Sequence, residues 1–105
     1  MKIAFDLDGT CWEHRELFSA IIKGLRDQGH MVGILTAHNE TLEKPDLALW
    51  KARGFPDVNF YIAKTTECRD IPSFDWKMSM CKGESIDFLF DDFDTGDIKL
   101  IKITK

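Results

Sequence analysis

The chain has 105 residues, 44% hydrophobic and 30% charged, with eight Phe and three Trp, which is enough for one folded domain over 1–105 and argues against disorder. A formal net charge of −4 with no basic stripe argues against nucleic acid as a partner. No apolar run reaches the roughly 20 residues a membrane span needs, and Met1-Lys2-Ile3-Ala4-Phe5-Asp6 meets a carboxylate too soon for a signal peptide.

The expected setting is therefore cytoplasmic. There the three widely spaced cysteines, Cys11, Cys68 and Cys81, stay reduced, and their spacing fits no metal motif.

In chain order, residues 2–6 read as a short buried strand that stops at acid and glycine. Residues 16–28 switch to helical period: Leu17, Ile21 and Leu25 repeat at i, i+4 with Phe18 and Ile22 beside them, and Gly29 follows as a stop. Met31 to Leu35 is a second strand, ending at Thr36-Ala37-His38-Asn39. A helix starts near Pro45, because proline suits a first turn, and ends at Gly54. Asn59 to Ala63 is a third strand, and 64–75 reads as loop. Lys77 to Lys82 is a short helix before Gly83, Ile86 to Phe90 a fourth strand, and Ile98 to Ile103 a fifth, at an edge. Alternating strands and helices imply an α/β, doubly wound, mainly parallel sheet, in which ligands bind at the carboxyl ends of the strands.

The polar residues fall where such a sheet would use them. Asp6 and Asp8 follow the first strand, Thr36 the second, Asp91 and Asp92 the fourth, and Lys77 opens the helix before it. These positions converge on one edge of the sheet. Carboxylates behind apolar strands require a partner, and a hard divalent cation with oxygen ligands is the natural one. Lys64 and Lys82 compete with Lys77 for the role of the site's cation.

Asp6-Leu7-Asp8-Gly9-Thr10, preceded by Ile3-Ala4-Phe5, is similar to the DxDGT signature of haloacid dehalogenase-type phosphatases. Thr36, the upstream Lys77 and the late Asp91-Asp92 pair resemble that family's other three motifs, in its order. The resemblance implies a three-layer α/β sandwich and a magnesium-dependent phosphohydrolase. In that reading Asp6 is the nucleophile, forming an aspartyl-phosphate, and Asp8 is the general acid and then the base. Thr36 and the Ala37 N–H bind a phosphoryl oxygen, while Lys77 neutralises phosphate charge and holds Asp6. Magnesium takes Asp6, the Asp8 backbone carbonyl and Asp91, with Asp92 acting directly or through water.

Only about ten residues separate Asp6 from the first helix, so no cap domain is expected. An open site accepts a phosphorylated small molecule or the phosphorylated end of a larger substrate, or is covered by a second copy in a homo-oligomer. Trp12 and His38 are candidates for substrate contact, set against packing for Trp12 and a surface position for His38. A phospho-receiver domain, also built from Asp, Thr, Lys and magnesium, would need an Asp after the third strand, where this chain has Ala63-Lys64-Thr65. The alternative of another class is a non-catalytic binding or regulatory module on the same fold; such a module has no need of both Asp6 and Asp8.

Overall fold

A near-continuous apolar run makes the first strand, β1 (Lys2–Phe5), the middle of the sheet, with Ile3, Ala4 and Phe5 all buried. The structure is a computed structural model describing residues 1–39, 45–93 and 96–104, with the backbone alone for His38, Asn39, Pro45 and Thr66. After β1 come α1 (Arg15–Asp27), β2 (Met31–Asn39), α2 (Pro45–Ala52) and β3 (Phe60–Lys64). A single turn at Thr66–Cys68 leads to α3 (Ser73–Gly83), β4 (Phe88–Asp91) and β5 (Lys99–Lys102). Among the described residues no helix is long and apolar enough to cross a membrane.

The five strands form one sheet in the order β3-β2-β1-β4-β5. β1 pairs in parallel with β2 and β4, β2 pairs in parallel with β3, and β5 closes the edge antiparallel to β4. The chain thus winds outward from β1 in one direction through β2 and β3, then crosses back to lay β4 on the other side of β1. Strand order reverses between β1 and β4, and the gap at their carboxyl ends is where such sheets hold ligands.

Alternation along the strands feeds two cores. Ile3, Phe5, Val32 and Ile34 pack with Phe18 and Ile22 of α1 and Trp50 of α2. Ala4, Leu35 and Leu89 pack on the opposite face with Trp76 and Cys81 of α3. Trp50 stacks on Phe55 with ring centroids 3.9 Å apart, and its indole N–H donates to the Pro56 carbonyl at 2.8 Å. Gly33 of β2 lets the Phe60 ring lie against the strand, where any side chain would overlap it.

Several expected boundaries shift, each for a physical reason. The apolar face of α1 centres on Phe18 and Ile22, while Leu17 is 57% exposed and Ile21 and Leu25 pack only partly. Burying each of the two central side chains is worth about 1.5–3 kcal/mol, which fixes the helix rotation one residue from the Leu17-Ile21-Leu25 line. β2 runs on through Thr36 to Asn39, with its register to β3 shifting between Thr36 and Asn39. The loop expected over 64–75 ends early, because α3 begins at Ser73, four residues before Lys77. Pro72 holds the extended conformation that precedes a helix (φ −53, ψ 140), the Trp76 N–H donates to the Pro72 carbonyl at 2.9 Å, and Asp75 lies in the first turn. Lys77 therefore sits in the body of the helix rather than at its start.

Candidate functional site

The chain leaves β1 through a wide turn that presents two carboxylates to one cavity. Asp6 stays tied to the sheet, its N–H donating to the Phe90 carbonyl of β4 at 2.9 Å, and its own carbonyl accepts from the Cys11 N–H at 3.3 Å. The Trp12 N–H donates to the Leu7 carbonyl at 3.0 Å, which closes the turn. Inside it Asp8 is extended (φ −70, ψ 131) and Gly9 takes φ 73. Gly9 is required twice over: its φ is left-handed, and a Cβ there would collide with the Asp92 carboxylate. Gly9→Ala is accordingly expected to displace the Asp92 carboxylate and to cost about 2 kcal/mol or more in urea unfolding. A variant as stable as wild type would contradict that packing.

Asp6, Asp91 and Asp92 each offer an oxygen within 4.8 Å of the others, and all three residues are buried. The Lys77 ammonium lies between two of them, 2.8 Å from Asp6 Oδ1 and 2.5 Å from Asp91 Oδ2. The second oxygen of Asp91 accepts the Phe93 N–H at 2.9 Å, and the Thr10 hydroxyl lies 3.5 Å from Asp6 Oδ2. These groups line a cavity of about 320 Å³ together with Asp8, Ala37, Ser73, Phe74 and Phe93.

Asp6, Asp91 and Asp92 crowd together, with the Lys77 ammonium bonded to two of them, and the titration of Asp6 reflects that crowding. Burial raises its pKa most, Lys77 opposes the rise, and Asp91 and Asp92 add to it, leaving Asp6 pushed up to about 7. For Lys77, burial alone would favour the neutral amine, but Asp6 and Asp91 outweigh it and hold the ammonium above its ordinary range. Hard oxygen donors and a surplus of negative charge suit a divalent cation such as magnesium. Two oxygens on opposite sides of that ion stand roughly 4.2 Å apart, so this cluster needs little closing to hold one.

Of the residues expected at the site, Asp6, Asp8, Ala37, Lys77, Asp91 and Asp92 line the cavity. The contest among lysines is decided by geometry. The Lys64 ammonium donates to the Ile71 carbonyl, and Lys82 is exposed in the last turn of α3. Thr36 is buried at 1% exposure and is not among the lining residues, because alternation along β2 gives that position to Ala37. Trp12 also lies off the cavity. It packs against Trp50 and Phe55 at 6.0 and 5.6 Å, with the Arg53 guanidinium 4.8 Å over its ring. The side chain of His38 lies outside the described residues. Cys11 is fully buried, and burial raises its pKa further from the reactive range, so it packs rather than reacts.

No family model, curated protein or solved structure matches the chain. The site must be read from its own atoms. Sequence reasoning missed Ser73, Phe74 and Phe93. Ser73 and Phe74 fell in the supposed loop, although Phe74 stands three positions before Lys77 and so shares its side of a helix. Nothing in the sequence signalled Phe93, whose position depends on a left-handed backbone (φ 46).

Proposed function

We propose that the chain is a magnesium-dependent phosphohydrolase of the haloacid dehalogenase type, without a cap domain, that cleaves a phosphate monoester through Asp6. The observation that carries this reading is the convergence of Asp6 from β1, Asp91 from β4 and Lys77 from α3 within 2.8 Å contacts. That convergence falls where strand order reverses.

In this reading an Asp6 oxygen attacks phosphorus, the ester oxygen leaves with a proton from Asp8, and the resulting aspartyl-phosphate is cleaved by water after Asp8 takes the water's proton. Asp8 suits both proton transfers because it lines the same cavity yet is exposed to solvent. Lys77 keeps Asp6 oriented and offers positive charge to the phosphoryl group, and Ala37 forms part of the cavity wall. Asp6, Asp91 and Asp92 would hold magnesium, which supplies charge neutralisation for the transferring phosphoryl group.

The absence of a cap is supported by the short path from β1 to α1, which is only the turn and its flanks over 6–14. The substrate is then a phosphorylated small molecule or a phosphorylated end of something larger, reached from open solvent or beneath a second copy.

Hydrolysis of p-nitrophenyl phosphate, with magnesium and with a chelator, tests the reading on wild type and Asp8→Asn. Expected is magnesium-dependent turnover that falls about 10²- to 10⁴-fold without the Asp8 carboxyl. Turnover that persists in chelator, or that ignores Asp8→Asn, would count against it.

A further inference from the structure

The acids and Lys77 account for the floor of the cavity, but two aromatic rings form its wall and no step of phosphoryl transfer needs them. Phe93 and Phe74 both line the cavity, with ring centroids 5.0 Å apart and planes inclined at 54°. The Phe93 ring centre is 6.0 Å from the Lys77 ammonium, so the ring adjoins the charged floor of the cavity. Phe74 stands farther out and is 54% exposed, an unfavourable placing for a large apolar side chain on the first turn of α3.

Phe93 also holds a left-handed backbone (φ 46), a conformation bulky residues rarely take. Its N–H is anchored on Asp91 Oδ1 at 2.9 Å, and its ring packs partly on the core beneath α3. A strained residue fixed to a metal-type ligand, with its ring facing the cavity, marks a position held for recognition.

Resting on the phosphohydrolase reading, we propose that Phe93 and Phe74 bind the organic part of the substrate, so that the site selects phosphate monoesters carrying a flat unsaturated ring close to the ester oxygen. A planar group would lie along the Phe93 ring and meet Phe74 at its outer edge, in the offset and edge-to-face arrangements aromatic pairs favour. A saturated group of equal size fills the same space without that match.

The test separates ring recognition from chemistry. Benzylphosphonate and cyclohexylmethylphosphonate, which are not hydrolysed, are titrated into the magnesium-loaded protein by calorimetry. Expected is about 3- to 10-fold tighter binding of the benzyl compound. That preference should fall toward unity in Phe74→Leu, whose exposed position makes it safe for folding, and in Phe93→Leu. Equal affinities in wild type, or a preference unchanged in both variants, would overturn the proposal. Benzyl phosphate and cyclohexylmethyl phosphate, whose leaving groups are similar in basicity, are assayed beside them. Hydrolysis of both at equal rates would overturn ring selection while leaving the phosphohydrolase reading standing. Selective binding of benzylphosphonate with no hydrolysis of either ester would uphold the aromatic wall and overturn the phosphohydrolase reading.

Discussion

Asp6→Asn is expected to silence phosphate-ester turnover and, at the same time, to raise the stability of the metal-free protein at about pH 8. The two effects come from one cause. Asp6 is held among Asp91 and Asp92 beside the Lys77 ammonium, and burial with those neighbouring acids pushes its pKa from 3.8 to about 7. Between those values the folded chain keeps a proton that the unfolded chain has released, so stability falls as pH rises across the window. The penalty is absent below about pH 4 and complete above about pH 7. A shift of about three units corresponds to roughly 4 kcal/mol at most. That figure already contains the pull of Lys77 on Asp6, and as an upper bound it is reduced by relaxation and water entry around the cluster. A net gain of roughly 1–2 kcal/mol should remain at about pH 8, several degrees in the thermal midpoint for a chain of this size. It should shrink toward about pH 5. Thermal unfolding of both proteins at the two pH values, in chelator, decides the matter; a destabilised variant at about pH 8 would show that Lys77 more than compensates the crowding.

Lys77→Met is expected to be the most damaging single substitution at the site. Its ammonium is 7% exposed and bonded to carboxylates that are 6% and 1% exposed. Removing one partner of a buried pair typically costs about 3–5 kcal/mol, because the charge left behind has no partner. The lysine pKa lies above its ordinary 10.5, so this contribution is present throughout the neutral range and is lost only as pH climbs past the folded value. The loss should be smaller at about pH 5, where Asp6 is protonated in the folded state, and magnesium should restore part of it by replacing the missing positive charge. Urea unfolding at both pH values, with and without magnesium, measures each part. A variant as stable as wild type at about pH 8 would mean that solvent reaches these carboxylates freely.

Much of this site was legible in the sequence because it is built at strand ends. Apolar runs locate strands, and a carboxylate immediately after one, as with Asp6 and Asp91, must sit at the sheet's edge. Topology then brings such edges together without any knowledge of side-chain packing. What depends on packing was not legible. The rotation of α1 turns on which of several adjacent apolar residues meets Phe5 and Phe90, a choice settled by ring contacts such as Phe5 to Phe18 at 5.7 Å. Trp12 follows the Asp6–Cys11 turn in sequence, yet the neighbouring Trp50 and Phe55 draw it away from the cavity. Thr36 was expected just after the second strand but lies within β2, whose extra length and register shift decide which of its residues face the cavity. Phe93 lay beyond reach, since its role depends on a backbone angle that its residue type disfavours.

The tie between the end of β1 and β4 has a further consequence, for the order in which this chain can become functional. Asp6 meets Lys77 across 71 positions of sequence, and the Lys2 N–H meets Asp87 across 85. A fragment that lacks β4 contains Asp6 and Lys77 but neither Asp91 nor Asp92. As a nascent chain emerges, β1, β2 and β3 can pair while Asp6 remains a solvated carboxylate with ordinary chemistry. The Asp6–Lys77–Asp91 cluster is completed only when β4 pairs with β1, a long-range closure of the kind that forms slowly. Completion of the carboxylate cluster is thus a report that β4 has joined β1.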